Sequence, residues 1–318
     1  MNIALCVGID YYAHVGKLDQ CVEDAVTIAG VLETNGDDSP NFEVHTLVAA
    51  DEDSAVLRSD LKRHVKMLFS RNVETALFYF SGHGASDEYG SYLCTSETRE
   101  IEDGFSMETL MQIVGKSRAR NKVIILDSCH SGQLANVTTM TNSCILPENT
   151  VILTACASDG VSYENVFTPL VVEALKGSAM NLEGEVNVNA IYTYVERIMS
   201  VFYQHPVFKA NCDQSVCLRR NKPQLNLMEL RRLMELFENP DDELYLDPSY
   251  EEDKHDVLDK THYSEKEAIM RLLRLYQRFN LVEPVGTPYL YWAAINSMSC
   301  RLTTLGRYYW RLVNKKRI

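Results

Sequence analysis

Thr75-Ala76-Leu77-Phe78-Tyr79-Phe80-Ser81-Gly82-His83-Gly84 and Lys122-Val123-Ile124-Ile125-Leu126-Asp127-Ser128-Cys129-His130-Ser131-Gly132 share one build. In each, a near-unbroken apolar run ends in small, polar and reactive residues. Runs of this length, rich in β-branched and aromatic side chains, read as strands buried on both faces, as in a helix-covered parallel sheet. In such sheets the loops beyond the carboxyl ends of the strands collect the chemistry. Two neighbouring strands ending this way bring an imidazole beside a thiol.

Working outward, the first ~220 residues repeat the same alternation. Strands are expected at Asn2–Ile9, Glu43–Leu47, Thr75–Phe80, Lys122–Leu126, Thr150–Thr154 and Pro206–Ala210. Helical patterns lie between them at Leu18–Thr34, Ala55–Ser70, Ser106–Gly115, Phe167–Leu175 and Val188–Tyr203, with Asp53 or Ser54 as the cap of the second. The expectation is an α/β fold: a mostly parallel six-stranded sheet with helices on both faces, over 1–222.

Around Pro223 the alternation stops. Residues 223–263 read as an apolar-faced helix (Leu225–Phe237) and an acidic linker, with 12 Asp/Glu against 4 Lys/Arg. Residues 264–318 hold 3 against 10. They read as a small domain with a helix (Glu265–Phe279), a strand-like Tyr289-Leu290-Tyr291-Trp292 and a closing helix from Thr303 or Thr304 to Val313. That closing part looks like a winged helix, a fold that serves protein docking or DNA binding. Attachment to an acidic body favours docking or regulation, with DNA as the alternative. Trp292 and Trp310 read as core.

The 318 residues are 46% hydrophobic and 24% charged, the values of a globular chain rather than a disordered one. No basic leader and no run of ~18 apolar residues is found, so neither secretion nor a membrane span is expected. Nine cysteines without paired CxxC spacing point to a reduced, cytoplasmic setting and away from zinc.

A cysteine after a strand is ordinarily a buried bystander, and a lone histidine a satisfied polar group. Together in this frame they meet the requirement of thiol catalysis: a base near enough to leave a thiolate. His83 is preferred to His130, because successive side chains diverge on a tight turn. Gly82, Gly84 and Gly132 let a peptide approach and leave N–H groups for an oxyanion, for which Gly84 and Cys129 are the candidates.

At this point the sequence resembles the caspase, metacaspase and paracaspase clan. The strings Ser81-Gly82-His83-Gly84 and Asp127-Ser128-Cys129-His130-Ser131-Gly132 are of the metacaspase type. They stand 46 residues apart from His83 to Cys129, close to the roughly 50-residue spacing of caspase-like enzymes. The likeness covers about 1–220, including Ala4–Tyr12 and the Asn165–Leu175 segment. It implies a His83–Cys129 dyad and an acidic pocket for Arg or Lys, built from Cys21, Asp24, Ser81 and Asp127. Two converging carboxylates suit a planar guanidinium and would repel an Asp side chain. The resemblance also raises calcium, through Glu97, Glu100, Glu102 and Asp103, but Asn136 stands where an Asp is expected. A solvated acidic loop without a metal is the reading, with calcium as the alternative.

No Lys or Arg lies between Lys122 and Lys176, so a basic-specific enzyme cannot cut itself there; processing, if any, falls near Arg219-Arg220 or in the tail. The fused architecture suggests a regulated protease in stress or defence signalling. A catalytically silent scaffold and a DNA-binding regulator are the rival readings.

Overall fold

The computed structural model describes residues 1–87, 90–129, 146–155, 166–202, 205–223, 225–251 and 260–318. Chain contacts divide it into two compact units, Met1–Lys222 and Pro223–Ile318.

The first unit runs β1 (Asn2–Ile9), α1 (Cys21–Glu33), β2 (Phe42–Ala49), α2 (Arg58–Ser70), β3 (Thr75–Ser86), β4 (Ser91–Leu93), β5 (Phe105–Ser106), α3 (Met107–Gly115), β6 (Asn121–Cys129) and β7 (Thr150–Thr154). It continues through α4 (Phe167–Glu173), β8 (Glu185–Asn187), α5 (Val188–Met199), β9 (Val207–Asn211) and β10 (Cys217–Arg220). The main sheet has the order β2-β1-β3-β6-β7-β9, with β4 and β5 added at the end of β3. All pairings along that order are parallel except β7 with β9. The expected mostly parallel α/β sheet is therefore present.

Alternation along the strands divides the core. Ile3, Leu5, Val7, Phe78, Phe80, Ile124 and Leu126 pack with Leu61, Val65 and Leu68 of α2 and Leu110 and Val114 of α3. Ala4, Cys6, Leu77, Tyr79, Val123 and Ile125 pack with Ala25, Ile28 and Leu32 of α1, Val171 of α4 and Ile191 and Val195 of α5. On β1 the second face is built of small residues, and that lets α1 come close. A Cβ on Gly8 would lie 2.1 Å from the Cys21 carbonyl oxygen and 2.9 Å from Ala25 Cβ.

Several boundaries differ from expectation for local reasons. α1 starts at Cys21, not Leu18, because its first N–H groups are taken by Asp10 from the end of β1: Cys21 N donates to Asp10 Oδ1 at 2.8 Å and Val22 N to Oδ2 at 3.4 Å. α2 starts at Arg58, and neither Asp53 nor Ser54 caps it. The Ser54 hydroxyl instead accepts the N–H groups of Ala50 and Asp51, while Glu97 accepts the N–H of Arg58 at 2.9 Å. α5 ends at Met199 and tightens into a 3₁₀ turn over Ser200–Phe202.

The second unit contains α6 (Leu227–Arg231), α7 (Leu233–Leu236), β11 (Glu243–Tyr245), α8 (Lys260–Arg278), β12 (Val282–Pro284), α9 (Leu290–Ile295), β13 (Ser299–Leu302) and α10 (Thr304–Asn314). Its antiparallel sheet has the order β11-β13-β12. The stretch expected as a helix and linker thus supplies a strand, and two of its acids, Asp247 and Glu251, are anchored within the unit. Lys266 Nζ reaches Asp247 Oδ2 at 2.6 Å, and Arg274 Nη2 meets both oxygens of Glu251 at 2.8 and 2.6 Å. Tyr289–Trp292, expected as strand-like, leads into and forms the first turn of α9. Leu290, Ala293 and Ala294 are buried at helical spacing, whereas Trp292 is 48% exposed and not core. The connection from β12 to β13, which pair antiparallel, therefore contains a short helix. Trp310 is buried and donates from Nε1 to the Phe237 carbonyl at 2.8 Å.

Candidate active site at the carboxyl ends of β3 and β6

β3 and β6 pair in parallel without a slip from Thr75↔Asn121 to His83↔Cys129. Their last rows are Ser81 beside Asp127, Gly82 beside Ser128 and His83 beside Cys129. Because strand side chains alternate, positions 81, 83 and 127 belong to one face, the face of Tyr79 that α1 and α4 cover, and Cys129 is the register partner of His83. The sequence separation of 46 residues is thus one strand spacing, about 4.8 Å, at the backbone. His130, Asn136 and Cys144 lie outside the described residues.

The imidazole of His83 is held by backbone. Its Nε2 lies 2.7 Å from the Gly16 carbonyl oxygen. A carbonyl only accepts, so Nε2 carries the proton and the neutral ring keeps its lone pair on Nδ1. The ring packs on Tyr12, with centroids 4.7 Å apart at 50°, and the His83 N–H donates to the Tyr12 hydroxyl at 2.8 Å. The His83 carbonyl accepts the Cys94 N–H at 2.9 Å. Gly84 pairs with Leu93 of β4. By the alternation of a β-ladder, the Gly84 N–H then turns to the opposite edge of β3, along which β6 runs.

Two rows deeper sits the acidic pair. Ser81, 1% exposed, donates to Asp24 Oδ2 at 3.2 Å. Asp127, 8% exposed, accepts at Oδ2 from the Thr168 N–H at 3.2 Å and the Thr168 hydroxyl at 2.6 Å. Tyr79 OH lies 2.5 Å from that hydroxyl. Burial and the nearby Asp127 carboxylate push Asp24 up to about 7. Burial also raises Asp127, opposed by its bonds to Thr168. A raised pair of carboxylates in one partly buried place is an arrangement that a cation would relieve.

Asp24, Ser81 and Asp127 are thereby brought together, with Cys21 one helical turn before Asp24. Cys21 is buried and its backbone N–H is the first group capped by Asp10. Sequence reasoning missed Asp10, Tyr12, Gly16, Tyr79 and Thr168. Gly16 acts through a carbonyl that every residue has, so no side-chain pattern marks it. Tyr79 and Thr168 read as ordinary core and helix-start residues.

The acidic loop is occupied by its own chain. Asp103 Oδ2 accepts from the Arg99 and Glu100 N–H groups at 3.3 and 3.2 Å, and Arg58 and Arg99 line the same depression as Glu97, Glu100 and Asp103. Among the described residues no group of three or more His, Cys, Asp or Glu is placed to hold a metal, and no helix is long and apolar enough to cross a membrane.

The architecture resembles that of solved structures. The pro form of Sf-caspase-1 superposes with a TM-score of 0.51 at 11% identity, covering 70% of this chain and 91% of that one. Caspase-1 from Spodoptera frugiperda gives 0.49 at 11% identity over 71% and 92%. The Drosophila initiator caspase Dronc gives 0.45 at 12% over 66% and 79%. At such identities the likeness to Sf-caspase-1 is one of fold. No curated protein matches by sequence. The family model described as Caspase domain, however, matches residues 1–228. With the sheet order, the two strand ends and that match in hand, the chain belongs to the caspase-domain family.

Proposed function

We propose that the protein is a cysteine endopeptidase that cleaves after Arg, and after Lys more weakly, with His83 and Cys129 as its dyad. The observation that carries the reading is the in-register pairing of His83 with Cys129, two rows beyond Ser81 and Asp127. His83 Nδ1 takes the proton of the Cys129 thiol. The thiolate attacks the carbonyl before the scissile bond, and the tetrahedral oxygen is held by the Cys129 and Gly84 N–H groups. His83 returns the proton to the leaving amine. Water, with His83 again as base, releases the acyl group from sulfur. The Gly16 carbonyl takes the place of a third side chain, fixing the tautomer.

Asp24 and Asp127 receive the guanidinium in this scheme, positioned by Ser81 and Thr168. A lysine ammonium meets the same charges as a point rather than a fork, hence its weaker cleavage. No step draws on a metal or an organic cofactor. The second unit is assigned to regulation by a protein partner.

Hydrolysis of short fluorogenic peptides that differ only in the residue before the reporter tests this reading. Arg should be preferred, with Lys second and Asp inert, and Cys129→Ala should abolish turnover. Turnover of Asp peptides would defeat the pocket assignment; no turnover of any peptide by the wild type would support the silent scaffold.

A further inference from the structure

We propose that Tyr12 is a positioning residue for His83, seating the end of β3 so that the imidazole stays on the Gly16 carbonyl; this rests on His83 being the base. The β1–β3 ladder stops at Gly8↔Ser81, two residues short of His83. At His83 the strand has left β1, and its N–H needs an acceptor from elsewhere. The Tyr12 hydroxyl supplies it at 2.8 Å, and the same ring backs the imidazole at 4.7 Å. One side chain thus fixes both the backbone and the ring plane of the histidine.

The space for this hydroxyl is reserved. A Cβ on Gly82 would stand 2.7 Å from the Tyr12 oxygen and 2.9 Å from Phe80 Cζ. Tyr12 itself is 2% exposed, and burial keeps its phenol neutral by raising its pKa. The segment between β1 and α1 that carries both Tyr12 and Gly16 is pinned along its length. Asp10 and Tyr11 N–H groups donate to the Ala49 carbonyl at 2.9 and 3.0 Å, Ala13 N to Ser96 O at 2.9 Å, and Leu18 N to Asp10 O at 3.0 Å. His83 is therefore gripped by two groups, four residues apart, on one braced loop. Small misplacements of a general base cost rate without costing substrate affinity.

Tyr12→Phe keeps the ring and deletes the acceptor. In the full chain we expect kcat on an Arg peptide to fall about 10- to 100-fold with KM within about twofold, and the acid limb of the pH profile of kcat/KM to move. Gly82→Ala crowds the same hydroxyl from the other side and should give the same split between kcat and KM. Alkylation by iodoacetamide supplies a readout without substrate. Tyr12→Phe should slow it in the wild-type background and add nothing in His83→Ala. A wild-type kcat in folded Tyr12→Phe, or an equal loss in both backgrounds, overturns the positioning role while leaving the dyad standing. Undiminished turnover by His83→Ala overturns the dyad and the role of Tyr12 together.

Discussion

At the scale of single residues, the proposed activity rests on two pairs with different tasks. For the dyad, Cys129→Ala should reduce kcat by at least about 10³-fold and His83→Ala by about 10²- to 10⁴-fold, measured on an Arg peptide with folding checked by circular dichroism. For the pocket, Asp24 holds its proton up to about pH 7 in the free protein. Binding a guanidinium requires that proton to leave. KM for an Arg peptide should therefore fall as pH rises toward 7, by up to about tenfold per unit, and then level off. Stability runs the other way. A carboxyl raised above its ordinary value favours the folded state at low pH, and that advantage is lost as pH rises from about 4 to about 7. Asp24→Asn should accordingly raise Tm at pH 8, by about 2–4 °C, with no gain at pH 4, while weakening Arg cleavage. His83 and Cys129 were legible in the sequence as reactive side chains at strand ends, and Asp24, on α1, Ser81 and Asp127 as a pocket through the family resemblance. Tyr12 and Gly16 were not, since one acts through a hydroxyl on a backbone amide and the other through a carbonyl.

At the scale of elements, the site depends on how closely α1 approaches the sheet. Gly8 allows the Cys21 carbonyl to stand where a side chain would be, and this carries Asp24 to Ser81. Gly8→Ala places its Cβ 2.1 Å from backbone oxygen, so the helix must shift. Such overpacking typically costs about 1–3 kcal/mol, read as a lower urea midpoint, and here it should also raise KM for Arg peptides more than it lowers kcat. The strands were legible because buried parallel strands are written as continuous apolar runs. Helix starts were less so. α1 is capped by Asp10, eleven residues before Cys21, and α2 by Glu97, thirty-nine residues after Arg58. Neither partner is local, so a local signal such as Ser54 was misleading. The Tyr289–Trp292 run shows the same limit: aromatic content suggested a strand, but the burial of Leu290, Ala293 and Ala294 follows a helix.

At the scale of the whole molecule, the charge asymmetry acquires a different meaning from that suggested by composition. The basic 264–318 stretch and the acidic 223–263 stretch belong to one compact unit, and opposite charges are paired within it through Lys266–Asp247, Arg274–Glu251 and Arg307–Asp241. Across 223–318 the count is 15 Asp/Glu to 14 Lys/Arg, so this unit as a whole carries no net positive charge to draw in a phosphate backbone. The full chain should give no salt-sensitive gel shift with duplex DNA at micromolar protein. The absence of Lys and Arg from 123–175 likewise predicts that active enzyme keeps this stretch intact, as intact-mass spectra taken during turnover will report. Arg219, which could have offered a processing site, is engaged with the carbonyls of Thr34 and Leu175 in the folded unit.

The central claim is that one thiol, activated by His83, attacks next to a pocket that accepts Arg. It is tested most directly by reacting the full chain with peptidyl ketone inactivators carrying Arg or Asp and mapping the adduct by mass spectrometry. The account predicts one adduct, on Cys129, formed with the Arg reagent, slowed in Asp127→Asn and lost in His83→Ala. An adduct on another cysteine, or one formed equally well with the Asp reagent, would contradict it.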